Sequence, residues 1–264
     1  MGRNPFWAAL DVVLVVKTEE GASGHPEWSW KAYVPHGVPV HELVPVDVPS
    51  PGGDRDGASL RAERRKAARG LGHQAALALA SSRNFTRFMV VEENCRFRLP
   101  VTGTMARMLG QLLNGCRERT ALFLSEPHLS PHIACSVANG EKSALLRVSD
   151  MAASGAYVMN LSLCDRVLPA LPSGQRVWPW LRYYGSLEEW FARYLGRYGD
   201  LYALSPAPVS CGVGAPMPAL CKSMGHFNNA RTKYTDLSYL VNPAINSWRW
   251  LKSLNLFAGK KGLP

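Results

Sequence analysis

The chain has 264 residues, 47% of them hydrophobic and 19% charged, with 30 Lys and Arg against 20 Asp and Glu. That length supports one large domain or two modest ones, and eight Trp, nine Tyr and eight Phe exclude disorder for most of it. The formal charge of +10 points to a polyanionic partner, and no apolar run reaches the ~20 residues of a membrane helix.

Met1–Val16 has one arginine, an apolar patch broken by Asp11 and no small-residue cleavage site, so no secretory signal is expected. Asp11–Lys17 is β-branched, and Trp28–Val34 alternates large and polar residues. The turn-forming Gly21–Pro26 between them predicts a hairpin with a long loop. Val38–Pro51 reads as an extended linker ending in Pro51-Gly52-Gly53-Asp54. Residues 1–50 carry three positive and six negative side chains, so the cationic surplus lies further along.

Ala58–Ser82 is rich in Ala, Leu and Arg and predicts a helix, broken near Gly70–Gly72. It holds Arg61, Arg64, Arg65, Lys66 and Arg69 against Glu63 alone. Positions 61, 65 and 69 share a helical face with 64 beside it, and such a face can neutralise several phosphates. Phe85–Val91 and Arg96–Leu99 predict paired strands around Glu92-Glu93-Asn94. Thr102–Asn114 predicts a helix with Met105, Met108, Leu109 and Leu112 at helical spacing.

From Thr120 to Leu163 the texture is β, with strands predicted over Ala121–Leu124, Ile133–Val137, Ser143–Val148 and Tyr157–Leu163. Ala138-Asn139-Gly140 supplies the strongest hairpin turn in the chain. Beyond Pro172 helices are expected at Ser186–Tyr198 and Thr235–Leu256. The order predicts an α+β fold: a small antiparallel β-rich body with a helical C-terminal part. Three segments follow: residues 1–57 as N-terminal hairpin region and linker, 58–175 as an α+β central domain, and 176–264 as a helical, basic C-terminal domain. Trp178–Tyr198 is dense in aromatics; a core face and a protein–protein interface both explain it.

Candidate chemistry is sparse. His36 and His41, with Glu42 next to the second, lie in a proline-rich stretch and read as exposed loop residues. His128, His132 and Cys135 lie among prolines that forbid a helix, and no second cluster completes a metal site. Cys211, Cys221 and His226 form a loose C-x9-C-x4-H series that fits either two buried thiols or zinc. The six cysteines are far apart without a CxxC, which predicts a reducing, cytoplasmic compartment. No metal, cofactor or catalytic residue is expected.

A second basic zone covers residues 222–261, with Lys222, Arg231, Lys233, Arg249, Lys252, Lys260 and Lys261 against Asp236 alone. His226, Phe227, Asn228, Asn229, Tyr234 and Tyr239 are interleaved with it. Cations hold phosphates, amides read base edges and aromatic rings stack, so the mixture suits nucleic acid better than a membrane surface.

Residues 73–170 carry a family likeness. A short helix ends in Leu112-Leu113-Asn114, and a strand leads to Pro131-His132-Ile133-Ala134-Cys135-Ser136-Val137. Asn139-Gly140-Glu141-Lys142-Ser143, the strand Ala144–Val148 and Tyr157-Val158-Met159-Asn160-Leu161 follow. This region resembles the short large-subunit-type, zinc-finger-bearing protein of type IV CRISPR effector complexes, although no cysteine precedes Cys95 and the family's CxxC pairs are missing. The resemblance implies a non-catalytic subunit of an antiviral RNA-guided ribonucleoprotein that contacts the guide RNA handle and target-flanking DNA. Its implied partners are guide RNA, a target DNA duplex, the other effector-complex subunits and a DinG-type helicase. Lys142, Arg147 and the Arg61–Arg69 helix would then contact phosphates, with Arg83 beside them. Asn228, Asn229, Arg231 and Lys233 would read base edges next to Tyr234. Two alternatives stay open: a metal- or Cys/His-dependent enzyme acting on RNA, and a structural subunit of another ribonucleoprotein.

Overall fold

A computed structural model of the chain describes residues 4–17, 30–44, 46–50, 57–115, 119–127, 131–139 and 143–211. The β-branched run Val12–Val16 best suits a pleated surface among the eight strands of the main sheet. These are β1 (Val12–Val16), β2 (Val40–Leu43), β3 (Arg87–Glu92), β5 (Thr120–Phe123), β6 (Ile133–Asn139), β7 (Ala144–Val148), β8 (Ala156–Asn160) and β9 (Asp200–Ser205). Their order is β2-β1-β3-β8-β5-β9-β7-β6. Pairs β1–β2, β1–β3 and β5–β9 are parallel, and the other neighbours are antiparallel. Two short strands, β4 (Cys95–Phe97) and β10 (Val209–Cys211), form a separate antiparallel pair.

The fold is α+β. The sheet, however, is neither small nor purely antiparallel, and the expected boundaries at 57/58 and 175/176 cut through it. Strands β1 and β2 come from the first segment and β9 from the third, so the described residues belong to one compact unit. β9 enters between β5 and β7 with Leu201, Ala203 and Leu204 buried. Backbone groups in a sheet interior need partners on both sides, and a late segment meets that requirement as well as an early one.

Other expectations change for equally local reasons. The hairpin expected from Asp11–Lys17 and Trp28–Val34 does not form. Trp30–Ala32 is a single 3₁₀ turn with Trp30 buried, and β2, from the stretch read as linker, pairs with β1 in parallel. β3 and β4 do not pair with each other either. Cys95 and Phe97 face the core, and β4 turns away to meet β10. The β6–β7 hairpin forms as expected, with Ile133 opposite Val148 and Asn139 opposite Ala144.

Helices cover both faces. α1 (Pro5–Ala8) and α3 (Gly103–Gly115) pack together, and with β4 they cover Val13, Val15, Met89, Val91, Leu122 and Val158. The opposite face is covered by α2 (Gly57–Ser82), α4 (Leu161–Val167), α5 (Val177–Tyr184) and α6 (Leu187–Tyr194). Central strand β3 is therefore buried from Phe88 to Glu92, as a strand covered on both faces must be. α2 runs unbroken through Gly70 and Gly72, contrary to expectation. A Cβ at Gly72 would lie 2.6 Å from Val16 Cγ1, so the glycine lets the helix pass close over β1. Thr235–Leu256, the other expected helix, lies outside the described residues.

Candidate nucleic-acid interface

α2 has two faces. Ala67, Leu71, His73, Ala76, Leu77 and Ala80 recur at helical spacing and are buried. Ala67 and Leu71 meet Val177 and Trp178 of α5. On the outer face of its N-terminal half, Arg61, Arg64, Arg65 and Lys66 are exposed, and Arg83 is exposed just beyond the helix end. Four of the five cations expected on this helix thus reach solvent.

The fifth does not. Arg69 sits one turn beyond Arg65, where α2 tilts its face onto the sheet. Its Nη1 donates to Glu188 Oε1 at 2.6 Å, and Nη2 lies 3.2 Å from Glu92 Oε2. Arg69 is therefore corrected from phosphate contact to internal counter-ion. Arg147, also expected to contact phosphate, is paired with Asp200 because β7 lies beside β9, and its side chain stays 41% exposed at the surface. Lys142, Asn228, Asn229, Arg231, Lys233 and Tyr234 lie outside the described residues.

Arg69 belongs to a polar cluster where α2 and α6 meet above the C-terminal ends of β1 and β3. Glu92, opposite Val16 in the sheet, is 1% exposed at its side chain. His73 is fully buried, with Nε2 3.1 Å from Glu92 Oε1 and Nδ1 3.0 Å from the Tyr157 hydroxyl. An ionised carboxylate only accepts, so in the neutral ring Nε2 carries the proton and Tyr157 donates to Nδ1. The Ser154 hydroxyl lies 2.9 Å from Glu92 Oε1 and 2.8 Å from Glu188 Oε1, and donates to one at a time.

The electrostatics follow from that geometry. Burial by itself would raise the Glu92 carboxyl, but the Arg69 guanidinium, His73 and Ser154 outweigh it and hold it at about 2. Glu188 is held low against the same burial by Arg69. Burial would lower the Arg69 guanidinium, yet the two carboxylates raise it. Burial pushes the Tyr157 hydroxyl well above its ordinary value. The Arg69 ion pairs and the His73 and Ser154 hydrogen bonds tie α2 and α6 to the sheet, and Glu92 Oε2 has the ion pair with Arg69 but no hydrogen-bond donor among the described residues. The sequence reading missed His73, Glu92, Ser154 and Glu188. The signals were a carboxylate ending the apolar run Phe88–Val91 and a histidine on the small-residue face of α2.

Of the residues of the alternative enzyme reading, the described ones, His132, Cys135 and Cys211, form no metal-binding group. Cys211 pairs with Cys95 in a disulfide joining β10 to β4, so it is neither a free thiol nor a zinc ligand. The pair also departs from the expected reducing compartment, since persistent disulfides belong to oxidising ones. His132 is exposed, and its Nδ1 lies 2.6 Å from Asp150 Oδ2. Cys135 is exposed on β6, while His128, Cys221 and His226 lie outside the described residues. Among the described residues no three His, Cys, Asp or Glu side chains are grouped to hold a metal ion. None of the described helices is long and apolar enough to cross a membrane. No family model and no curated protein matches this chain.

Proposed function

We propose that this protein binds nucleic acid without catalysing a reaction, holding phosphates on the outer face of the N-terminal half of α2. The observation that carries the reading is the exposure of Arg61, Arg64, Arg65 and Lys66 on consecutive turns of a helix whose inner face is anchored by a buried charge cluster. Cations along one helix face can neutralise several phosphates, and each phosphate neutralised releases condensed counter-ions. The more specific form of the proposal is a subunit of a type IV CRISPR-like effector that meets guide RNA, target-flanking DNA, neighbouring subunits and a DinG-type helicase. It is supported by the resemblance of residues 73–170.

Arg64→Ala with Lys66→Ala tests the common part. These side chains have no ion-pair partner among the described residues, so their removal leaves the cluster intact. Duplex binding should weaken, and the slope of log K against log salt should fall by about 0.9 for each phosphate that is no longer neutralised. Unchanged affinity and slope would reject α2 as the binding surface. Co-purification of the tagged chain with a bound guide RNA and partner subunits tests the specific form.

A further inference from the structure

We propose that the α5–α6 surface is a stacking platform for single-stranded nucleic acid, centred on Tyr183 and rimmed by arginines. This deepens the nucleic-acid reading above and rests on it.

Tyr183 is 70% exposed, unusual for so large a ring. It is nevertheless held in place. Its ring meets Tyr184 edge to face at 4.6 Å and 81°, and Tyr184 meets Tyr194 at 5.2 Å and 83°. Tyr194 stacks on Trp190 at 6.2 Å, and Trp190 is 1% exposed. The outermost ring is thus rooted through two others in the core, and it presents its free face without a large ordering cost on binding.

Charge around the rings is complementary to phosphate. Arg176, Arg182 and Arg197 are exposed and have no carboxylate partner among the described residues. The Arg197 guanidinium lies 4.9 Å from the Tyr194 ring centroid, a cation–π contact that orders it beside the platform. The segment's two acids do not oppose this. Glu188 is buried against Arg69 and Ser154, and Glu189 is paired with Arg193 at 3.1 Å. Ordered rings with unpaired arginines beside them are the elements of a sequence-tolerant single-strand groove, in which bases stack and cations track the backbone. A duplex cannot use the platform, because its base faces are already stacked on one another. α5 packs along the same part of α2 that bears the exposed cations, so both surfaces belong to one helical layer.

Fluorescence anisotropy on the full chain tests this, with a labelled oligo-dT strand, a labelled duplex of equal length and a labelled oligo-glutamate peptide as probes. Tyr183→Ala should weaken oligo-dT binding at least about fivefold, the lower end for removing one base stack, and leave duplex binding within about twofold. Tyr183→Phe keeps the ring and should bind like the wild type. Arg182→Ala with Arg197→Ala should lower the salt slope for oligo-dT. Equal weakening for strand and duplex, no weakening with Tyr183→Ala, or peptide binding as tight as oligo-dT would each overturn the platform. Duplex binding that responds to Arg64 and Lys66 while Tyr183 is indifferent would overturn the platform alone. If the wild type binds neither nucleic acid, the underlying reading falls and takes this proposal with it.

Discussion

Glu92→Gln keeps the size of a side chain that is 1% exposed and removes its charge, which probes the cluster beneath α2 with little change in packing. In the folded protein burial opposes ionisation of Glu92, but Arg69, His73 and Ser154 together hold the carboxyl at about 2, below its ordinary 4.5. That difference corresponds to about 3 kcal/mol of stability at neutral pH. Because the folded value is depressed, the contribution is complete above about pH 4.5 and is lost as pH falls towards 2. Glu188 acts in the same direction. At 2–4 °C per kcal/mol for a domain of this size, Glu92→Gln should lower Tm at neutral pH by about 6–12 °C. The gap should close as the buffer is acidified. Arg69→Met should do something different, since it leaves two buried carboxylates bridged by one Ser154 hydroxyl. Arg69 is 31% exposed at its side chain and solvent offsets part of the loss, which places the cost near the lower end of the ~3–5 kcal/mol for breaking a buried pair. The carboxylates then take up a proton more readily when folded, so this variant should gain stability as pH falls through the mildly acidic range. Thermal melts followed by circular dichroism across pH would read both effects. Wild-type Tm for Glu92→Gln at neutral pH, or a gap that persists at the acid end, would refute the electrostatic account.

Two further outcomes follow from other parts of the structure. A non-reducing digest of protein purified without reductant should contain the Cys95 and Cys211 peptides linked to each other, and Gly155→Ala should lower the melting temperature. A Cβ at Gly155 would run into Cys211 Sγ and lie 2.8 Å from Cys95 Sγ, a clash worth about 1–3 kcal/mol in a packed interior. Alkylation of Cys95 in the native wild type would refute the pairing, and wild-type melting of Gly155→Ala would refute the close approach. The His132 imidazole is raised above its ordinary 6.5 by the hydrogen bond and charge of Asp150, so its attachment to Asp150 is strongest at low pH and weakens as pH rises through the raised value. An NMR titration should show Asp150→Asn moving His132 back towards 6.5, and an unchanged titration would show that Asp150 is not the cause.

Much of the fold is legible in the chain itself. The β-branched run at Val12–Val16, the two strands of the β6–β7 hairpin, and the spacing of Met108 and Leu109 in α3 each encode their own element. Basic α2 is legible too, because charge on a helix face depends on sequence spacing alone. The candidate interface is legible only in part. Arg64 and Lys66 stay outward, but whether Arg69 or Arg147 is paired within the protein depends on Glu92, Glu188 and Asp200, which lie far away in the chain. The exposed ring of Tyr183 is hidden for a related reason. Within an aromatic-rich stretch, periodicity cannot tell the ring that roots the group from the ring that ends it.

Local energetics in the chain therefore set β1, α3, the basic outer face of α2 and the β6–β7 hairpin. Tertiary packing decided that β9 would enter the sheet between β5 and β7, that Cys95 would find Cys211, and that Arg69 would turn inward. Those outcomes depend on which distant groups share a low-dielectric interior. A buried backbone amide or carboxylate must find a partner there, and neighbouring residues in the chain do not determine which one.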